Sequence, residues 1–467
     1  MKKTNIIILI AFLIVSLFIG SHHEPWADEA QSWLIARDSS VFEIIWDISR
    51  YEGTLPLWIL TLKIFIILGL TYNYLYIVPI VISTIGVFAF LNKVEAPKYV
   101  KILLPFTYYI LYQYTCVARS YCYFLLAFSF FISTYNKREE NSIKYIMSLI
   151  FMTLISMHGI LIATGFAVTF FIEILKKKKV KEYVKEFFLY LFIIVVEIIL
   201  LIPRSDLYMT VSAVMPLKYN IGVVKSIFLG NGNIIFKIFN AIPVILFVIL
   251  VINLIRIKNK DFIFVLAGMI FFMLVVRYST HHSGILYYLI IFGVLANYQE
   301  IKKKNRYLDK ILIIIFLIHI SYSAYSGTND FFNHYSGAKE MAEYIKQNNY
   351  EEREIFGIGF KDISLQPYFE INLYDNMDEA MHRWSSENET FYVYCNLEKY
   401  EIDYFKDIPE LIVIEHDDTD IRVKKLENII ESTDKYEIEY QTDGFQFFKN
   451  SYSEREGYTL YKLKTMK

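Results

Sequence analysis

Residues 22–37 read HHEPWADEAQSWLIAR and follow directly on an apolar segment at the N-terminus. Because a segment of that length and composition is suited to a bilayer, the stretch emerges at a membrane surface. It places Asp28 and Glu29 between Trp26 and Trp33, and tryptophan rings favour the membrane boundary. A solvated loop would explain the acidic residues but not their position between two tryptophans. The stretch therefore predicts carboxylate chemistry at an interface.

The composition indicates a membrane protein with two unlike parts. Hydrophobic residues make up 55% of the 467 residues and aromatic residues 17%, and the apolar residues come in long blocks. The net charge of −1 conceals a division, because residues 325–467 sum to −14 and residues 1–324 to +13. Parts of such opposite charge face different surroundings. We expect a transmembrane domain over 1–324 and a separate extracytoplasmic domain over 325–467.

Apolar blocks predict twelve membrane helices. They lie near residues 4–20, 55–70, 74–91, 100–114, 117–134, 145–157, 159–175, 187–203, 241–256, 262–276, 284–297 and 310–324. Lysine and arginine cluster in alternate short loops, which predicts a cytoplasmic N-terminus and an external tail. Since that arrangement needs an odd number of crossings, we expect 11–13 helices. Residues 55–70, with Lys63 at their centre, either lie in the interface or enter the bilayer only part way; a thirteenth crossing elsewhere would satisfy the odd number equally well.

Two segments suggest a cavity on the external side. The blocks 145–157 and 159–175 are each short for a full crossing and meet at His158 and Gly159. Non-helical backbone at membrane depth must face protein or water, so such a meeting point predicts a cavity that enters the bilayer. The long external loop 204–240 either covers this cavity or is a plain connector. The first external loop, 21–54, carries the acidic stretch on the same side.

From Tyr325 onward the pattern changes to short alternating helices and strands. It predicts helices at 337–347 and 421–430, and strands at 354–360, 391–395, 411–415, 435–440 and 458–463. These elements indicate a small α/β domain. The predicted fold class is thus a polytopic α-helical membrane protein, multi-pass in the cell membrane, with a C-terminal extracytoplasmic α/β domain.

Basic residues recur on the same predicted side as the acidic stretch. Arg119 either marks the interface or binds a phosphate, to which a guanidinium can donate two hydrogen bonds. His158 is a core histidine or a ligand facing the cavity. Arg277, His281 and His282 precede a helix, where positive groups favour an anion. A carboxylate facing them could deprotonate an acceptor hydroxyl or bind Mg²⁺ or Mn²⁺ on a phosphorylated donor, so a divalent metal is a candidate cofactor.

Four short segments resemble one known family in their order and predicted topology. They are residues 26–30 (WADEA), 51–58 (YEGTLPLW), 118–121 (ARSY) and 281–284 (HHSG). They are similar to motifs of the GT-C polytopic glycosyltransferases, which include protein O-mannosyltransferases and aminoarabinose transferases. Residues 336–340 and 366–369 also resemble segments of that family's C-terminal domain.

The chain departs from the family at three places. Leu55 stands where the first of two prolines is usual, and His281 stands where an arginine is usual. Tyr123 and Phe124 occupy positions near which many members carry an acid. The last departure puts a second carboxylate for a metal in doubt.

The resemblance implies transfer of a sugar from a polyprenyl-phosphate donor to a glycan, lipid or protein acceptor on the outer face. It implies that Asp28 is the catalytic base or a metal-proximal acid supported by Glu29, with Trp26 and Glu52 as acceptor or loop contacts. Donor phosphate and lipid would be bound by Arg119, Tyr121, His158, Arg277, His281 and His282. No nucleic-acid partner is expected. A transporter or flippase for a lipid-linked glycan is the alternative, since it would use the same basic and aromatic residues without a base. A membrane receptor whose tail binds a partner is a third interpretation.

Overall fold

The computed structural model describes residues 3–52, 54–202, 220–222, 225, 234–276, 279–359, 361–370, 372–376, 409–416 and 421–464. Most of the predicted loop 204–240, the predicted strand 391–395 and Arg277 lie outside these residues. Within them the chain is mostly helical, with a small sheet region towards the C-terminus. This agrees with the predicted combination of apolar helices and a C-terminal α/β region.

Sixteen helices of six residues or more are described. In chain order, α1 to α16 are Lys3–Gly20, Ala27–Asp38, Leu57–Ile67, Ile77–Lys93, Lys98–Leu103, Phe124–Tyr135, Ser142–Thr153, Met157–Lys176, Val184–Leu201, Ile234–Arg256, Lys260–Val275, Ser283–Ala296, Tyr298–Lys304, Leu308–Phe332, Ala338–Gln347 and Ile421–Ser432. Shorter helical turns include Ser49–Glu52, Tyr109–Gln113, Ser120–Tyr123 and Thr280–His282.

Five helices in the described part of the chain are long and apolar enough to cross a membrane. They are α1, α8 and α14, together with Tyr72–Lys93, which is α4 and the helical turn before it, and Phe236–Arg256, which is most of α10. Thr280–Ala296 and Tyr298–Lys304 form a pair bent by 79° that makes a sixth candidate if it is one span. These helices agree with an integral membrane protein, while the count of 11–13 crossings stays a prediction.

Helix α3 shows why the block 55–70 is unusual. Its 11 residues extend about 17 Å at about 1.5 Å per residue, roughly half of a hydrocarbon layer of about 30 Å. At its centre, the ammonium group of Lys63 donates a hydrogen bond of 3.2 Å to the carbonyl oxygen of Ala36, at the end of α2. The length supports the interpretation that this block lies in the interface or enters only part way, and Lys63 has a polar partner.

The turn between the blocks 145–157 and 159–175 lies earlier than predicted. Helix α7 ends at Thr153 and α8 begins at Met157, because the hydroxyl oxygen of Ser156 accepts a hydrogen bond of 3.3 Å from the backbone N–H of Gly159. His158 and Gly159 therefore belong to the first turn of α8. With 20 residues, α8 is long enough to cross the membrane, so the prediction of a short half-crossing is wrong for this helix.

Gly159 is required by close packing between α7 and α8. A methyl group at this position would lie 2.1 Å from the carbonyl oxygen of Met152. We expect Gly159→Ala to lower stability by about 1–3 kcal/mol, because the backbone must shift to remove the overlap. The measurement is thermal unfolding of the purified protein in detergent. Gly268→Ala is the matched control, since no described atom would lie within 4 Å of its methyl group; equal unfolding temperatures for the two variants would contradict the prediction.

The C-terminal region is a four-stranded sheet covered by one helix on each face. The strands β1 to β6 are Ile355–Ile358, Leu411–His416, Tyr436–Thr442, Phe445–Phe448, Ser451–Arg455 and Gly457–Leu463. The sheet order is β1-β2-β6-β3, with β1 and β2 parallel and the other pairs antiparallel. Alternate residues of β2 face opposite sides, so that Leu411 and Val413 pack with α15 and Ile412 and Ile414 with α16. The predicted elements that fall on described residues are confirmed here.

Strands β4 and β5 form a separate hairpin that the sequence pattern does not predict. The hairpin packs against the membrane helices, where the ring of Phe448 lies edge-on to Tyr108 with 5.7 Å between centroids. The hydroxyl of Ser326, in α14, donates a hydrogen bond of 2.8 Å to the carbonyl oxygen of Lys449 at the hairpin tip. The sheet region is thereby attached to the helical part through this hairpin as well as through α14.

Candidate functional site

The acidic stretch that follows α1 is an ordered helix, α2. Trp26 precedes the first residue of the helix, and its backbone N–H donates a hydrogen bond of 3.2 Å to the carboxylate of Glu29. Ala27, Glu29 and Ala30 are buried, whereas the side chain of Asp28 keeps 28% of its surface exposed. The first turn therefore fixes Asp28 on the accessible side of the helix, while its neighbours Ala27 and Glu29 face the interior.

Trp33 differs from its predicted role. Its side chain is buried and its ring lies 5.5 Å from that of Tyr72. Its burial against Tyr72 makes it a core residue rather than an anchor at the membrane boundary. Trp26 is only partly buried against the same core.

Asp28 and Arg119 form an ion pair between two segments that are distant in sequence. The Nη1 atom of Arg119 donates to Oδ2 of Asp28, and both side chains remain about one quarter exposed. Arg119 immediately precedes the helical turn Ser120–Tyr123, which leads into the N-terminal end of α6. The predicted proximity of Arg119 to the first loop is confirmed.

Three imidazoles and a phenol lie beside this pair. His158 and His282 have ring centroids 4.3 Å apart, and His281 and His282 are also 4.3 Å apart. The ring of Tyr121 lies 5.8 Å from His281 and 6.0 Å from His282. The charges of Arg119 and Asp28 both lie close enough to His281 to act on its imidazole ring. Residues distant in sequence thus converge into one cluster, which is named here the outer cluster: Asp28, Glu52, Arg119, Tyr121, His158, His281 and His282.

Glu52, the last residue of the helical turn Ser49–Glu52, completes the outer cluster. The amide nitrogen of Gln31 donates a hydrogen bond of 2.5 Å to its Oε1 atom. Burial raises the pKa of the Glu52 carboxyl to about 7; the hydrogen bond from Gln31 opposes this shift and the neighbouring charge of Asp28 adds to it. A carboxyl with a pKa near neutrality changes its charge in the range where enzymes work.

The pH dependence of stability should report this raised pKa. Folding favours the protonated form of Glu52, so its contribution is fully present below the ordinary pKa of 4.5 and is lost as pH rises through about 7. We expect Glu52→Gln to unfold like the unmodified protein at pH 5. At pH 8 the variant should be more stable by on the order of 1 kcal/mol, since a neutral amide avoids the buried charge. The measurement is thermal unfolding of the variant and the unmodified protein at pH 5 and pH 8. An equal difference in stability between the two proteins at both pH values would contradict the prediction.

A second, buried network holds the first turn of α2, and sequence reasoning did not find it. The two ring nitrogens of His23 lie 3.1 Å from Oε2 of Glu29 and 3.0 Å from Oδ2 of Asp330, with all three side chains about 1% exposed. The hydroxyl of Tyr112 also donates to Asp330, at 2.9 Å. Burial lowers the pKa of His23, but the carboxylates of Glu29 and Asp330 raise it to about 10. His23 is therefore a charged bridge at neutral pH.

Glu29 is the link between this network and the outer cluster. One of its oxygens contacts His23 and the backbone of Trp26, and the other accepts a hydrogen bond from the backbone N–H of Ala118. Asp28 precedes Glu29 and Arg119 follows Ala118, so one buried carboxylate ties together the two backbone segments that form the ion pair. These contacts give Glu29 a positioning role.

The carboxylates of the site are arranged for ion pairs within the protein. Asp28 pairs with Arg119, and Glu29 pairs with His23. No group of three or more histidine, cysteine, aspartate or glutamate side chains in the described ranges is placed to hold a metal ion. The side chains described here do not fit a site that the protein alone would supply for Mg²⁺ or Mn²⁺.

Comparison with known proteins gives no identification. No protein-family model, curated protein or solved structure matches this chain. The likeness to GT-C glycosyltransferases therefore rests on the short motifs alone, and the function has to be argued from the chemistry of the outer cluster.

Proposed function

We propose that this chain is a GT-C type membrane glycosyltransferase that transfers a sugar from a polyprenyl-phosphate donor to an acceptor outside the cell. The observation that supports this most directly is the partly exposed Asp28–Arg119 pair beside three imidazoles. A carboxylate can deprotonate an acceptor hydroxyl, and a guanidinium with neighbouring imidazoles can stabilise a departing phosphate. The outer cluster brings both requirements of such a reaction to one place.

The ion pair suggests how donor binding activates Asp28. The phosphate of a donor is a bidentate acceptor that suits a guanidinium, so it competes with the carboxylate for Arg119. When Arg119 turns to the phosphate, the Asp28 carboxylate becomes available to an acceptor hydroxyl. The base is thus released only when the donor is present, which disfavours unproductive chemistry with water.

The transfer step then follows from these positions. Asp28 takes the proton of the acceptor hydroxyl while the oxygen of that hydroxyl forms a bond to the anomeric carbon of the sugar. The bond from that carbon to the phosphate oxygen breaks, and the polyprenyl phosphate leaves with the electron pair, stabilised by Arg119 and by hydrogen bonds from His281 or His282. Inversion at the anomeric carbon is what the family resemblance implies.

The remaining parts of the chain fit supporting roles in this proposal. Eleven to thirteen crossings, with the tail outside, would place the outer cluster at the external membrane surface. The sheet region contacts the helices near the first loop, where the backbone oxygen of Phe369 accepts a hydrogen bond of 2.9 Å from Arg37. The extracytoplasmic region would then lie where an acceptor glycan, lipid or protein could approach Asp28.

The test is a transfer assay on membranes that contain the full-length chain. Membranes are supplied with polyprenyl-phosphate sugars, and glycosylated products are identified by mass spectrometry, together with surface glycans and glycolipids of a strain lacking the protein. New product that depends on the chain supports the proposal. If the chain only moves intact lipid-linked glycan across the membrane and forms no product, it is a flippase instead. A receptor would show neither activity and would lose partner binding on removal of residues 325–467.

A further inference from the structure

A second polar cavity lies at the end of the helices opposite the outer cluster. It has a volume of about 620 Å³ and is formed by the last turns of α6 and α8, the turn between α10 and α11, and Asn297 after α12. His158 and Lys176 lie in the first and last turns of α8, which puts about 27 Å between them along the helix axis. This separation is close to the thickness of a hydrocarbon layer, about 30 Å. The cavity is therefore at headgroup level on the other membrane surface.

The acidic residues of the cavity are already neutralised. Arg138 pairs with Glu173 at 2.7 Å and with Asp261 at 3.3 Å. The hydroxyl of Tyr135 donates a further hydrogen bond of 2.9 Å to Asp261, and the Lys177 ammonium group lies 2.7 Å from Glu173. These contacts account for both carboxylates that line the cavity.

Three lysines of the cavity wall have no such acidic partner in the described part of the chain. Lys176 ends α8, while Lys258 and Lys260 lie in the turn that leads into α11, and all three side chains are exposed. Lysines that served only as a cytoplasmic topology signal would not need to converge on one cavity from two helix ends. Their positive charge is concentrated around a space that can accept an anion.

The surface next to the cavity indicates where that anion comes from. The apolar side chains of Ile172, Leu175, Ile255 and Phe264 are between 42% and 59% exposed on the same helices. Such a surface is suited to acyl chains rather than to water. A ligand that places a phosphate among the lysines and hydrocarbon along these side chains matches both features, whereas a soluble phosphate matches only the first.

We propose that this cavity binds the phosphate-bearing headgroup of an anionic membrane lipid. Lys176, Lys258 and Lys260 contact the phosphate, and the acyl chains lie along the exposed apolar side chains of α8, α10 and α11. Basic pockets between membrane helices are known to recognise anionic headgroups in this way. The inference is independent of the proposed sugar transfer.

Native mass spectrometry of the full-length protein in detergent tests the proposal. The protein is titrated separately with phosphatidylglycerol, phosphatidylcholine and glycerol 3-phosphate. We expect phosphatidylglycerol to bind at least tenfold more tightly than phosphatidylcholine, and millimolar glycerol 3-phosphate not to displace it. Each lysine near an anionic headgroup contributes about fivefold, so the triple variant Lys176→Gln, Lys258→Gln and Lys260→Gln should bind phosphatidylglycerol on the order of 100-fold more weakly.

A second triple variant controls for net charge. Lys98→Gln, Lys303→Gln and Lys310→Gln remove three exposed lysines that do not line the cavity, and this variant should keep the affinity of the unmodified protein. Equal weakening in the two triple variants would show non-specific attraction and would overturn the proposal. Displacement by glycerol 3-phosphate would overturn it as well, because the site would then recognise a soluble anion.

Discussion

Asp28→Asn is expected to lower the kcat of sugar transfer by about 10²–10⁴-fold, the usual contribution of a positioned general base. Asparagine keeps the shape of the side chain and its position in the first turn of α2, but it takes no proton from an acceptor hydroxyl. The hydrogen bond to Arg119 is retained through the amide oxygen. Arg119 remains available to the donor phosphate, so the loss should appear in kcat more than in the donor KM.

The measurement is product formation in membranes supplied with polyprenyl-phosphate sugar, corrected for the amount of folded protein. Asp38→Asn is the matched control, because Asp38 lies in the same helix and pairs with Arg37 at 2.6 Å, away from the outer cluster. The control should keep its activity within a few-fold. Full activity of Asp28→Asn would refute the mechanism, even if the chain proved to be a glycosyltransferase.

The members of the outer cluster were largely predictable because hydropathy and the distribution of lysine and arginine predict which loops share one side of a membrane. The positive-inside pattern put Arg119, His158 and the His281–His282 pair on the side of the first loop, and the structure brings all four together with Asp28. The tail elements were predictable from local pattern, since β2 is a short continuous apolar run and α16 has apolar residues at a period of 3.6.

The buried network was not predictable from the same signals. His23 and Asp330 are 307 positions apart, and Asp330 lies beyond the apolar block 310–324, in a continuation of α14 that hydropathy does not show. The turn before α8 was misplaced for a local reason: Gly159 resembles a helix breaker in sequence, but it serves close packing inside the helix. Only the first of these depends on a long-range contact, because the turn before α8 is set by the local hydrogen bond between Ser156 and Gly159.

The largest stability effect is expected at His23. His23→Ala leaves the carboxylates of Glu29 and Asp330 buried without the cation between them, and breaking a buried pair of this kind costs about 3–5 kcal/mol. Because Glu29 also holds the backbone at Ala118, the loss should extend to the position of Arg119. Removing the buried charge of Asp330 should recover part of the stability. The double variant His23→Gln and Asp330→Asn is therefore expected to unfold at a higher temperature than His23→Ala.

The pH dependence of unfolding separates this charged bridge from simple packing. The pKa of His23 is raised from 6.5 to about 10 in the folded protein, so its stabilisation is fully present below pH 6.5 and is lost as pH rises through about 10. His23→Ala should therefore differ most from the unmodified protein at pH 6, and the difference should shrink progressively as pH rises from about 6.5 to about 10. His22→Ala is the control, since the contacts of the His22 imidazole with described residues lie at the surface, including one of 2.7 Å to the backbone oxygen of Phe18. A His23→Ala defect of the same size at pH 6 and pH 10 would mean that the ring is needed for its shape, and the outer cluster would then owe its geometry to packing rather than to the buried charge.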